Sequence, residues 1–186
     1  MHTPTKNYRR LLASGHRELV LSVWESDEGN TGFVSSTLRM YRGLADGSFP
    51  PINSTVIDSV MAGLACGVSA ADYDRDGDLD LYVSVWKPGR YDETSANRML
   101  RNDRNFDFVD VAVELGIDDP KKSFMAALAD LDRDGWIDIL VTEDKRGGLT
   151  YFENDGDGTF TDRTTASGLD GYVFIGGIYA DGMGIA

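Results

Sequence analysis

Apolar and polar positions alternate with period two in several short stretches of the chain. The most apolar stretch is Asp80-Leu-Tyr-Val-Ser-Val-Trp86. Such alternation between clusters of turn residues predicts β-strands. Applied along the chain, it predicts four successive strands at 67–71, 79–86, about 97–101 and 106–112. The first is rich in small residues (Gly67, Ser69, Ala70, Ala71), as expected where repeated units crowd toward a central axis and bulky side chains would clash. The second, being the most apolar, is expected to lie centrally in its sheet.

The pattern repeats. Residues 67–83 align with 125–141, which places Asp72 on Asp130, 58 positions later. Each copy continues into a second shared segment, 100–108 in one and 152–160 in the other, and closes on a Leu-Gly-Ile or Gly-Leu turn at 115–117 and 168–169. Four short strands in about 50–60 residues is the spacing of a propeller blade. An earlier copy appears when Glu18–Trp24 is laid on Asp80–Trp86, and a further one begins where Met183–Ala186 falls on Met125–Leu128. The expected fold is all-β: a partial β-propeller over residues 1–186, with four-stranded antiparallel blades at about 10–58, 63–119 and 123–172 and the start of another at 173–186. This number of blades cannot close a ring of about four to eight. The sequence is therefore expected to be a piece of a longer chain, with the remaining blades as its neighbours.

Between the first and second strands of two copies lies the pattern D-x-D-x-D-G-x-x-D. It runs Asp72, Asp74, Asp76, Gly77, Asp78, Asp80 in one copy, and Asp130, Asp132, Asp134, Gly135, Trp136, Asp138 in the other. Alternate carboxylates point to one side of a tight loop, the glycine permits the backbone to reverse, and Asp78 and Trp136 can each offer a main-chain carbonyl. Hard oxygen donors at short range suit Ca²⁺, so two calcium sites are expected. Carboxylates about 4 Å apart repel by roughly 4 kcal/mol per pair at an effective dielectric near 20, and such a cluster needs a cation or must open. An EF-hand, and likewise a dockerin loop, requires a carboxylate at position twelve. Here that position is Val83 or Val141, inside a predicted strand. In the earlier copy, Arg10, Leu12 and Ser14 replace the first three ligands, which leaves ion binding by the 10–18 loop open. Asn154–Gly158 reads as a tight hairpin needing positive φ.

Composition narrows the function. Thirty-one Asp and Glu against 18 Lys and Arg leave a formal charge of −13, which repels nucleic acid and anionic membranes and attracts cations. The single Cys66 can form no internal disulfide and reads as buried packing. Residues 1–10 lack an apolar stretch of the kind a signal peptide carries, and no run of about 18 apolar residues predicts membrane insertion. His2 and His16 are the only histidines, and no nucleophile elbow, zinc-protease helix or phosphate loop occurs, so the chain is expected not to be an enzyme. Trp24, Trp86 and Trp136 are expected to pack rather than to stack on a ligand. Long connections between the second and third strands, at 25–35 and 87–96, are the candidate recognition loops, opposite the acidic ones.

These residues resemble the FG-GAP and VCBS repeat families, whose members form calcium-bearing β-propellers such as the head of integrin α-subunits. The segment 154–162 is similar to bacterial VCBS repeats and to the cartilage acidic protein group, and the likeness covers about residues 10–186. The resemblance implies metal ligands at Asp72, Asp74, Asp76 and Asp80 and at Asp130, Asp132, Asp134 and Asp138. It also implies a secreted or cell-surface protein whose propeller serves adhesion or binds a protein or glycan ligand. The alternative is a non-catalytic accessory propeller of a secreted hydrolase or lyase; a purely structural spacer is a third reading.

Overall fold

The computed structural model describes residues 18–26, 33–53, 56–57, 63–86, 96–143 and 148–169. They form three antiparallel sheets, each a meander in which consecutive strands are neighbours. The first contains β1 (Glu18–Ser26), β2 (Phe33–Arg42) and β3 (Pro51–Ile52). The second contains β4 (Leu64–Ala71), β5 (Asp80–Trp86), β6 (Arg98–Asn102) and β7 (Phe108–Asp110). The third contains β8 (Ser123–Ala129), β9 (Asp138–Glu143), β10 (Leu149–Asn154) and β11 (Phe160–Asp162). The fold is all-β apart from a single helical turn, α1 (Ala112–Leu115), among the described residues.

The period-two alternation explains how the sheets stack. On β5, Leu81, Val83 and Val85 face one way, into a core with Val20, Leu38 and Met40 of the first sheet. Tyr82 faces the other way, into a second core with Ile139, Val141 and Phe152 of the third sheet. Every residue of β5 from Asp80 to Val85 is buried. The strand predicted to be central is thus covered on both faces, and this is why it is the most apolar. The small residues of β4 serve the contact with β8. At Gly67 an added β-carbon would lie 2.7 Å from the Phe124 carbonyl oxygen. Two residues on, the Ser69 hydroxyl donates to the Ala126 carbonyl at 2.5 Å. On the other side, the Ser22 and Ser36 hydroxyls of the first sheet donate to the carbonyls of Ala65 and Gly63.

The structure differs from the sequence expectation at the fourth strand of the second unit. Pairing runs only over Phe108–Asp110, and the chain then turns through α1. Gly116, at φ 70°, ends that turn, with the Ile117 N–H bonded to the Ala112 carbonyl at 3.0 Å. Val111, Ala112, Leu115 and Ile117 are all buried in the second core, and the helical turn sets Ala112 and Leu115 inward together where a longer strand would point them to opposite faces. Most of the loop at 10–18, most of the connections at 25–35 and 87–96, and the repeat beginning at 173–186 lie outside the described residues.

Candidate metal centre

Both acidic loops join the first and second strands of their sheets. One leaves β4 at Ala71 and enters β5 at Asp80; the other leaves β8 at Ala129 and enters β9 at Asp138. In each case these flanking residues are paired to each other. The pairing closes the loop at its base, so each loop must reverse in eight residues or fewer. Arg75 and Arg133 do this with φ 61° and 70°, and Gly77 and Gly135 with φ 96° and 94°. Only glycine adopts such angles without cost.

Four hydrogen bonds recur in both loops. The Gly77 and Gly135 N–H groups donate to Oδ2 of Asp72 and Asp130, at 3.2 and 3.1 Å. Those of Asp76 and Asp134 donate to Oδ1 of Asp74 and Asp132, at 3.2 and 3.0 Å. The Asp78 and Trp136 N–H groups donate to Oδ1 of Asp76 and Asp134, at 2.9 and 2.7 Å. Finally, Tyr73 and Leu131 donate to Oδ2 of Asp80 and Asp138, at 3.2 and 2.8 Å. Asp72, Asp74, Asp130 and Asp132 therefore shape their loops through one oxygen and leave the other free of these bonds, whereas Asp80 and Asp138 accept on both oxygens.

Three carboxylates of each loop converge. Asp72, Asp74 and Asp80 each place an oxygen within 4.8 Å of the others, and so do Asp130, Asp132 and Asp138. Asp76 and Asp134 stand outside these triads, exposed, and hold the N–H of position seven, which Asp78 and Trp136 occupy. The donor set is entirely carboxylate oxygen, the chemistry of a hard cation. Oδ1 of Asp72 is buried and meets no hydrogen-bond donor among the described residues, which leaves its lone pairs without a partner unless a cation supplies one. Burial above all, with a smaller contribution from the Asp74 charge, pushes the Asp80 carboxyl up to about 7, against the Asn102 N–H that pulls it down. Burial also raises Asp74 and Asp138. Carboxylates that ionise reluctantly when alone fit a site completed by a positive ion.

Two features of the centre were not singled out in the sequence. Asn102 and Asn154 occupy equivalent positions at the ends of β6 and β10, and their N–H groups donate to Oδ1 of Asp80 and Asp138, each at 2.9 Å. The signal was present in the shared segments 100–108 and 152–160, which carry Asn at the same place. The second feature is Arg75, whose guanidinium lies 3.9 Å above the Trp136 ring and donates to the Gly135 carbonyl. Trp136 does pack, as expected, but against the other acidic loop. Trp86 stacks on Phe124 with ring centroids 6.3 Å apart, while the Trp24 side chain lies outside the described residues. Residues 154–158 form the expected hairpin, with Gly156 and Gly158 at φ 74° and 92° and the Asp155 N–H bonded to the Thr159 carbonyl.

Repeated four-stranded meanders, each with an acidic loop between its first two strands, define a β-repeat protein with candidate cation sites. The FG-GAP-like repeat matches residues 13–83 and 130–181, so the chain belongs to the FG-GAP-like repeat family. No curated protein matches the chain. Repeats of this family are typical of extracellular proteins. No helix among the described residues is long and apolar enough to cross a membrane.

Proposed function

We propose that the chain is part of a calcium-binding β-propeller that acts outside the cell as an adhesion or ligand-binding scaffold, with Ca²⁺ at the two aspartate triads. The observation that carries this reading is the same triad, braced by the same four hydrogen bonds, at the same register of two sheets. Two sheets stacked face to face through small first strands are also the arrangement expected of neighbouring propeller blades. Extracellular calcium modules bind with Kd about 10⁻⁴–10⁻³ M, a range suited to exposed loops of this kind. No catalytic role is proposed: the aspartates are used to shape the loops, and the partner would be a protein or glycan.

The test is thermal unfolding in calcium and in chelator. Cations that bind the folded loops alone add about 2.7 kcal/mol per site at a hundredfold excess over Kd, so the melting temperature should rise with calcium. An unchanged melting temperature would reject the proposal.

A further inference from the structure

Two independent connections join the acidic loops across the boundary between the second and third sheets. The first is a chain of hydrogen bonds from one triad to the other. Asp138 Oδ1 accepts the Asn154 N–H at 2.9 Å, and the Asn154 side-chain amide donates to the Tyr73 carbonyl at 3.1 Å. The Tyr73 N–H then donates to Asp80 Oδ2 at 3.2 Å. The same Asn154 amide also reaches the Ile137 carbonyl at 3.2 Å, so the side chain is held on both loops at once. The Asn154 residue is buried, as is Tyr73, whose ring lies 6.0 Å from that of Phe160 in the third sheet. The second connection is Arg75, at position four of one loop, on Trp136 and Gly135, at positions seven and six of the other. Behind it, the indole is closed in by Gly156, where a β-carbon would come within 2.5 Å of Nε1.

We infer that the two cation sites are coupled through Asn154 and Arg75 as positioning residues, so that filling one site tightens the other. This rests on the cation reading above. Ordering one loop fixes the Tyr73 carbonyl and the Arg75 guanidinium, and these fix Asn154, Gly135 and Trp136 in the other. The second ion therefore meets a loop whose ordering has already been completed. An electrostatic effect opposes this, because an ion in one loop weakens the negative potential at the other. It weakens the attraction for the second ion without abolishing it. Residues 72–80 hold five aspartates against Arg75, and residues 130–138 hold four against Arg133, so a single divalent ion leaves either loop net negative. Charges at exposed loop positions are also screened over about 8 Å at physiological salt, whereas the buried Asn154 bonds are not. By linkage the coupling is reciprocal.

The test is calorimetric titration of the full chain with calcium alone. Site-two affinity is compared between the intact chain and Asp72→Asn/Asp74→Asn, in which site one is disabled. Coupling of ordinary size predicts at least about fivefold tighter binding at site two when site one is filled. In an Arg75→Gln background, or with Asn154→Ala added, both sites should still fill while that ratio falls toward one. Arg75 is exposed, so its substitution reads the coupling even if the Asn154 variant does not fold. Equal site-two affinity with and without site one would overturn the coupling and leave the cation reading standing, and a ratio undiminished by Arg75→Gln would overturn the assignment to these residues. Absence of any calcium binding would instead remove both readings.

Discussion

Gly67 of β4 lies against Phe124 of β8 so closely that a β-carbon would sit 2.7 Å from the Phe124 carbonyl oxygen. The atom it would strike is backbone, at an irregularity of β8 whose flanking residues Ser123 and Met125 pair with Glu143 and Thr142 of β9. Gly67→Ala is therefore expected to force the second and third sheets apart, at a cost of roughly 1–3 kcal/mol, the usual range for overpacking. Denaturant unfolding of the variant measures this, and wild-type stability would show that the sheets can slide.

Gly156 is a second position where a methyl group has no room, for a different reason. Its φ is 74°, and an added β-carbon would meet the Trp136 indole at 2.5 Å. Gly156→Ala should cost about 1–3 kcal/mol through the unfavourable backbone angle and displace the ring from beneath Arg75. A shifted tryptophan emission spectrum with lowered stability is the expected result. An unchanged spectrum would mean that the indole is not held where the structure places it.

The buried carboxyls predict an unusual pH dependence in the calcium-free protein. Asp80 is pushed up to about 7 by burial and by Asp74, and Glu143 up to about 7 by burial and by Asp119. Between the ordinary carboxylate range and about 7, the folded state holds protons that the unfolded state has released. The contribution of each group is therefore fully present below that ordinary range and lost as pH rises to about 7. Asp80→Asn should remove part of this decline between the ordinary carboxylate range and about pH 7, and Glu143→Gln a further part. On the proposed reading calcium would work in the opposite sense, because it would bind the ionised carboxylate: affinity should fall as pH drops below about 7. Chemical denaturation across that pH range, with and without calcium, distinguishes the two trends. An Asp80→Asn chain with the wild-type profile would contradict the assignment.

The repeat and both acidic loops were legible because they depend on local rules. Period-two alternation placed β5 within a residue of its observed start, and aspartates at alternate positions marked the triads. The short helix Ala112–Leu115 was missed because one turn carries too few residues to show a helical period, although Gly116 in the left-handed region was a cue to it. Asn154 was read as part of a hairpin. Its reach to the Tyr73 carbonyl spans 81 positions, which no local pattern encodes. The same holds for the buried carboxylate Glu143, satisfied by the hydroxyls of Ser123 and Thr150 at 2.9 and 3.3 Å. Asp76 and Asp134, expected as ligands at position five, lie outside the triads and accept the N–H of position seven.

The central claim is that each triad holds one calcium ion, and the number of ions bound tests it most directly. Equilibrium dialysis of the full chain against millimolar calcium should give two ions per chain. It should give one for Asp74→Ala and one for Asp132→Ala, since each substitution removes a member of a different triad. A count of zero in the intact chain, or a count unchanged by both substitutions, would contradict the account.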